Sequence, residues 1–254
     1  MPHLATHLDT PDGRLPVHVY HPEGTGPWPA AIVYIDGIGM RPAVMEIAER
    51  LASGGYYVLL PDLFWRIGYT GEEGKRMFES PNGIAEWKER VLPAASTENV
   101  MRDTEALLAF LGDEPRAKRG AVGLTGYCMG GRLSLCAAGH FGDRIAAAAS
   151  YHGGGLATEA PDSPHLLAPR MKARVYVGGA IEDRGFDDAQ KARLEQALTD
   201  AGVEHLIETY NARHGWVPRD TAVHDPVEAE RHWRTLFGVF AKTLGGGTAA
   251  EPVG

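Results

Sequence analysis

The stretch "AVGLTGYCMGGRLSLC", residues 121–136, decides how this chain is read. An apolar run ends at Gly126, a cysteine stands between two glycines, and an apolar, helix-like run follows. Three strand–turn–helix motifs compete for it. A phosphate-binding loop needs Lys and Ser/Thr after its last glycine. Gly126 and Gly131 have the spacing, but Arg132 and Leu133 follow. A dinucleotide fingerprint needs Gly-x-Gly-x-x-Gly and an acid after the next strand, and neither is present. The third motif is the nucleophile elbow, with Cys128 where serine is usual. Its turn is so sharp that only glycine fits on both flanks. The nucleophile then stands at a helix N-terminus, where the N–H groups and dipole favour a thiolate. The N–H of Met129 supplies half of an oxyanion hole. The other reading of Cys128 is a small residue in a glycine-rich turn. Cys136, mid-helix among alanines, reads as core.

Outward from the elbow, strand-like and helix-like runs alternate. Strands are expected at 15–20, 30–35, 56–60, 121–126, 145–151, 173–179 and 205–210. Most are nearly all apolar, as in a parallel sheet covered on both faces. Helices are expected at 41–55, 96–112, 187–202 and 225–245, with Pro42 near a first helical position and Ser96 or Thr97, Asp187 and Asp225 as caps. Gln190 completes a capping-box pattern with Asp187. The alternation predicts one α/β domain over 1–244 with a mostly parallel sheet and helices on both faces. Residues 64–95 interrupt it with Trp65, Tyr69, Phe78 and Trp87, and read either as a cap or lid beside a site or as an ordinary excursion with its own small core. The end of the chain, 245–254, is expected to be a flexible tail.

An elbow needs partners on loops after later strands, in the order nucleophile, acid, histidine. The strand at 173–179 is followed by Glu182 and Asp183, of which Asp183 is preferred; a mere capping role for the acid is weakened, because Asp187 already accounts for the next helix start. The strand at 205–210 is followed by His214. His152, after the strand at 145–151, reads as either a pocket-lining residue or a plain loop residue.

The chain has 254 residues and a net charge of −8. That charge gives no reason to expect nucleic acid or an anionic membrane as partner. No apolar run approaches a bilayer span and the N-terminus lacks a signal-peptide pattern, so a cytoplasmic location is expected. Eight helical residues would separate Cys128 and Cys136 by ~12 Å, and a disulfide needs Cα atoms within ~7 Å. Two free thiols fit a reducing compartment.

In the elbow "GYCMGG", the acid loop "IEDRGF" and the histidine loop "ARHGW", the chain resembles the dienelactone hydrolase family of α/β-hydrolases over most of 15–240. The resemblance implies the α/β-hydrolase fold, a Cys128–His214–Asp183 triad, and hydrolysis of a small ester or enol-lactone without metal or organic cofactor. It also implies that Asp36 occupies the place of a glutamate usual beside the thiol, and that the N–H of Gly37 is the second oxyanion donor. Arg66, in "PDLFWR", would bind a substrate carboxylate. A second such arginine belongs four residues after the histidine; Pro218 stands there, and Arg219 is one step on. The alternatives are a general carboxylesterase or thioesterase acting on neutral acyl groups, and a non-catalytic sensor on the same fold. The natural substrate, the pathway and the oligomeric state are not legible.

Overall fold

The computed structural model describes residues 1–245; the tail expected over 245–254 lies, from residue 246 on, outside the described residues. The frame is an eight-stranded sheet. Its strands are β1 (His3–Thr10), β2 (Gly13–Tyr20), β3 (Ala30–Tyr34), β4 (Tyr57–Pro61), β5 (Val122–Tyr127), β6 (Ile145–Tyr151), β7 (Arg174–Gly179) and β8 (His205–Thr209). They lie in the order β1-β2-β4-β3-β5-β6-β7-β8. β1, β2 and β4 pair antiparallel, and β3 to β8 run parallel with β4. The seven expected strands stand within two residues of their places. β1 was not expected. Its sequence, HLATHLDT, is polar at five of eight places without a clear alternation, and exposed along most of its length. It holds on by a complete antiparallel register with β2, His3 opposite Tyr20 through Thr10 opposite Gly13.

β3, β4 and β5 are buried at every residue. Two helix layers account for that. On one face α1 (Pro42–Ser53) meets α7 (Pro226–Leu244), so closely that a Cβ on Gly54 would lie 2.2 Å from the Phe237 ring. Phe240 and Leu244 of α7 press on Gly123 of β5. On the other face α4 (Thr97–Asp113) and α5 (Met129–Phe141) are joined by Arg132, which donates to Thr97. α6 (Asp188–Asp200) lies near β8.

The caps follow the sequence. Ser96 accepts from the Asn99 N–H, and Asp187 from that of Gln190. Asp225 accepts from Val227 and Glu228. The Gln190 side chain does not close a capping box; it donates to the Gly185 carbonyl at 3.0 Å and so tethers the loop after β7.

Residues 64–95 contain α2 (Gly71–Glu79), α3 (Gly83–Arg90) and a 3₁₀ turn at Leu92–Ala95. α2 begins with a capping box between Thr70 and Glu73. Both helices are short, which is why their periodicity is weak in the sequence.

Candidate active site

β5 runs into α5 through a single residue, Cys128, at φ 55° and ψ −118°. Backbone of this kind costs a non-glycine residue about 1–3 kcal/mol and persists only where its surroundings enforce it. The surroundings here are backbone atoms. A Cβ on Gly126 would lie 2.0 Å from the Gly130 carbonyl oxygen, and one on Gly130 would lie 2.2 Å from that of Tyr34. The two glycines therefore let α5 start directly against the ends of β5 and β3. Met129 becomes the first residue of α5, and Gly37 lies three residues beyond the end of β3. His152 (φ 40°) and Glu182 (φ 54°) are the other non-glycine residues with positive φ among those described. All three follow the C-terminal ends of neighbouring strands, so backbone strain is concentrated on one edge of the sheet.

The loops after β7 and β8 meet on that edge. His214 Nδ1 lies 2.8 Å from Asp183 Oδ2, and the Gly185 N–H donates to Asp183 Oδ1 at 2.8 Å. With Nδ1 donating to the acid, Nε2 is left for the thiol. Burial opposes a charge on His214. The negative charge of Cys128 and hydrogen bonds with Asp183 and Cys128 outweigh it and raise the imidazole pKa to about 10. Burial likewise works against the Asp183 carboxylate, but the His214 contact and the Gly185 N–H hold its pKa below the usual value. Glu182, the competing acid, is largely exposed and stands 3.8 Å from Arg213. Cys128, His214 and Asp183 are thus brought together, and Glu182 is not.

His152 is fully buried, with its ring tilted against His214 at 5.1 Å and edge-on to Trp216 at 4.9 Å. Burial, reinforced by His214 and His232, holds it neutral with a pKa well below the ordinary value. It packs against the His214 ring and is buried instead of standing in an open loop.

Three expected substrate contacts are placed differently. Both Asp36 oxygens accept from the buried Arg41, at 2.7 and 2.8 Å, and Oδ1 also takes the Ile38 N–H. The carboxylate is occupied by its own loop rather than offered to the thiol or substrate. Arg66 donates to Asp103 through Nη1 and Nη2 at 2.8 Å each, and to Asp12 through Nε and Nη2. Its guanidinium is committed to two carboxylates and stacks over Trp65. Arg219 is exposed and lines a cleft of about 670 Å³ between α1 and α7, with Glu46, Arg50, His224 and Trp233; no triad residue lines that cleft. The one-residue shift past Pro218 turns it to the outer face.

Several residues at the site carried no signal in the sequence. Arg41 and Asp220 form an ion pair at 2.9 Å across 179 positions. Phe78 and Trp87 were conspicuous, but their place against Gly37 was not: a Cβ on Gly37 would lie 2.7 Å from the Trp87 ring and 3.3 Å from Phe78. Among the described residues no group of three or more His, Cys, Asp or Glu is placed to hold a metal ion, and no helix is long and apolar enough to cross a membrane.

Comparison with known proteins places the chain in a family and a fold. The model of the family described as "Dienelactone hydrolase family" matches residues 15–244. A Synechocystis sp. protein named "Putative carboxymethylenebutenolidase" is 28% identical over 245 residues, which cover 94% of this chain and 97% of that one. The carboxymethylenebutenolidase of Rhodococcus opacus is 25% identical over 97% of this chain and 94% of its own. A crystal structure titled "Putative Dienelactone Hydrolase" from Klebsiella pneumoniae superposes with a TM-score of 0.83 at 21% identity, over 95% of this chain and 98% of that one. Its likeness shows the fold, an α/β-hydrolase sheet with its helices. The chain belongs to the dienelactone hydrolase family.

Proposed function

We propose that the protein hydrolyses a small ester or enol-lactone through Cys128. The observation that carries this reading is the 2.8 Å hydrogen bond from His214 to Asp183 beside a glycine-flanked cysteine at a helix N-terminus. The Cys128 thiolate attacks the acyl carbon, and the tetrahedral oxyanion rests on the N–H groups of Met129 and Gly37. The C–O bond breaks, and His214 gives its proton to the departing alkoxide or enolate. This leaves a thioester on Cys128. His214, now neutral, takes a proton from water, which attacks the thioester and releases the acid. Asp183 keeps Nδ1 protonated and stabilises the imidazolium in both steps. One water is consumed: it supplies the attacking electron pair and the proton of the second step, and Cys128 and His214 are returned to their starting states. The names of the relatives, carboxymethylenebutenolidases, support an enol-lactone as substrate.

A second reading, a general carboxylesterase or thioesterase, is favoured by one observation. Of the arginines expected to select a carboxylate, Arg66 is committed to Asp103 and Asp12, and Arg219 is exposed on a cleft lined by none of Cys128, Asp183 and His214. A panel of a dienelactone, p-nitrophenyl acetate and an acyl-CoA separates the readings.

The test of the mechanism is a set of single variants assayed on p-nitrophenyl acetate. Cys128→Ala is expected to abolish turnover. Cys136→Ala, which alters a fully buried thiol whose pKa burial raises, is expected to leave it nearly intact. Asp183→Asn is expected to lower kcat by roughly a hundred- to ten-thousandfold, and Glu182→Gln to leave it within about twofold. Equal losses in folded Cys128→Ala and Cys136→Ala would exclude Cys128 as nucleophile.

A further inference from the structure

The loop after β3 carries Gly37, yet much of what surrounds it comes from α2 and α3. Gly71 and Gly74 stand one turn apart on α2. A Cβ on Gly74 would lie 1.9 Å from the Ile38 carbonyl oxygen, and one on Gly71 would lie 2.5 Å from that of Met40. The backbone of the helix therefore rests on the backbone of the loop with no side chain between them. Phe78, one turn further along α2, and Trp87 of α3 close over Gly37 itself.

A chain of ion pairs fastens the same contact. Lys75 Nζ lies 2.8 Å from Asp220 Oδ2. That oxygen also accepts from Arg41 Nε at 2.9 Å. Arg41 grips both Asp36 oxygens and the Gly39 carbonyl. Arg41 is 4% exposed and Asp36 5%, so the two inner charges are shielded from water. The chain runs from the helix, through the loop that carries His214, to the residue preceding Gly37.

We propose that α2 is a positioning element for the oxyanion hole: Gly71 and Gly74 seat it on the Gly37 loop, and Lys75 locks it there through Asp220 and Arg41. The proposal rests on the reading of Gly37 as an oxyanion donor. Stabilising a developing oxyanion depends on donors already fixed in place. A displacement near 1 Å can cost about a hundredfold in rate. Gly71, Gly74 and Lys75 touch no substrate in this account; they act through the Gly37 N–H.

Two reactions of the same thiolate isolate the effect. Ester hydrolysis passes through an oxyanion. Alkylation by iodoacetamide forms a C–S bond with loss of iodide and needs no oxyanion hole. Both are to be measured on wild type, Lys75→Met, Lys75→Arg and Gly74→Ala, with the exposed Lys88→Met on α3 as control. Amide hydrogen exchange over residues 36–41 is to be followed in parallel. Lys75→Met is expected to lower kcat about fivefold with KM and alkylation within about twofold, while exchange over 36–41 accelerates. Lys75→Arg should restore all three, Gly74→Ala should exaggerate the loss, and Lys88→Met should change nothing. Should Gly74→Ala not fold, the Lys75 pair decides. The proposal is overturned if folded Lys75→Met keeps wild-type exchange over 36–41. It is equally overturned if, in an enzyme that turns over ester, alkylation falls in step with kcat or kcat does not fall. A wild type that hydrolyses no ester, with exchange still responding to Lys75, would sink the hydrolase reading and leave the clamp standing.

Discussion

Arg66 faces Asp103, whose side chain is fully buried, and Asp12, which is partly exposed. Removing one partner of a buried ion pair leaves a charge that neither water nor protein compensates, at a cost of about 3–5 kcal/mol. Arg66 keeps some solvent contact, and the Trp65 indole N–H still reaches Asp103 at 3.3 Å. The lower end of that range is expected for Arg66→Ala, about 3 kcal/mol in denaturant unfolding. The ratio of kcat/KM for an anionic lactone to that for its methyl ester should stay within about twofold, because the lost contacts are not substrate contacts. A tenfold fall in that ratio would return Arg66 to the substrate site. The motif "PDLFWR" was legible as a motif, but its partner was not. Asp103 lies 37 positions away on a helix whose sequence gives no hint of a buried acid.

The elements were legible where burial on both faces made them apolar. β3 to β7 and the helices α1, α4, α6 and α7 stand within two residues of expectation, since a strand covered twice and a helix covered once leave different periods. β1 escaped because an exposed edge strand need not be apolar. α2 and α3 escaped because they are short and because glycine, which gives no periodic signal, forms the buried face of α2 and shares that of α3 with Trp87. At the elbow the glycines did speak, and their requirement is testable. Gly130→Ala would drive a Cβ to 2.2 Å from the Tyr34 carbonyl oxygen, where only backbone could give way. Gly112, in α4, has nothing within 4 Å of such a Cβ. Gly130→Ala is expected to lower stability by at least ~3 kcal/mol or to prevent soluble expression, as forced overpacking does. Gly112→Ala should raise stability by roughly 0.5–1 kcal/mol by favouring the helix. Melting curves of the two variants check both signs.

For the molecule as a whole, pH acts through histidines of opposite kinds. His152 and His232 are fully buried. Burial holds His152 neutral with its pKa well below 6.5, and lowers that of His232 to about 3. The unfolded chain takes up these protons below about pH 6.5 and the folded chain does not, so stability falls as pH drops through that point. At pH 5 each histidine should have cost about 2 kcal/mol. His214 behaves in the reverse sense. Its pKa is raised to about 10, so its contribution is complete below 6.5 and fades as pH climbs through about 10. Thermal unfolding between pH 4.5 and 10.5 should show a maximum in the neutral range with loss on both sides. A melting temperature unchanged between pH 6.5 and 5 would contradict the burial of His152 and His232.

Cys128, Asp183 and His214, the proposed triad, follow β5, β7 and β8, and β8 is both the last strand among the described residues and the outermost on its side of the sheet. It pairs with β7 alone and is the least covered of the parallel strands. On the proposed mechanism, catalysis is therefore hostage to the rim of the molecule. During refolding, turnover should return only when that rim has zipped, later than the bulk of the secondary structure followed by far-ultraviolet dichroism. During mild denaturation it should vanish first. A refolding trace in which activity and dichroism recover together would mean that the rim and the centre form as one unit. A lag would make the enzyme its own timer, reporting the arrival of its final strand.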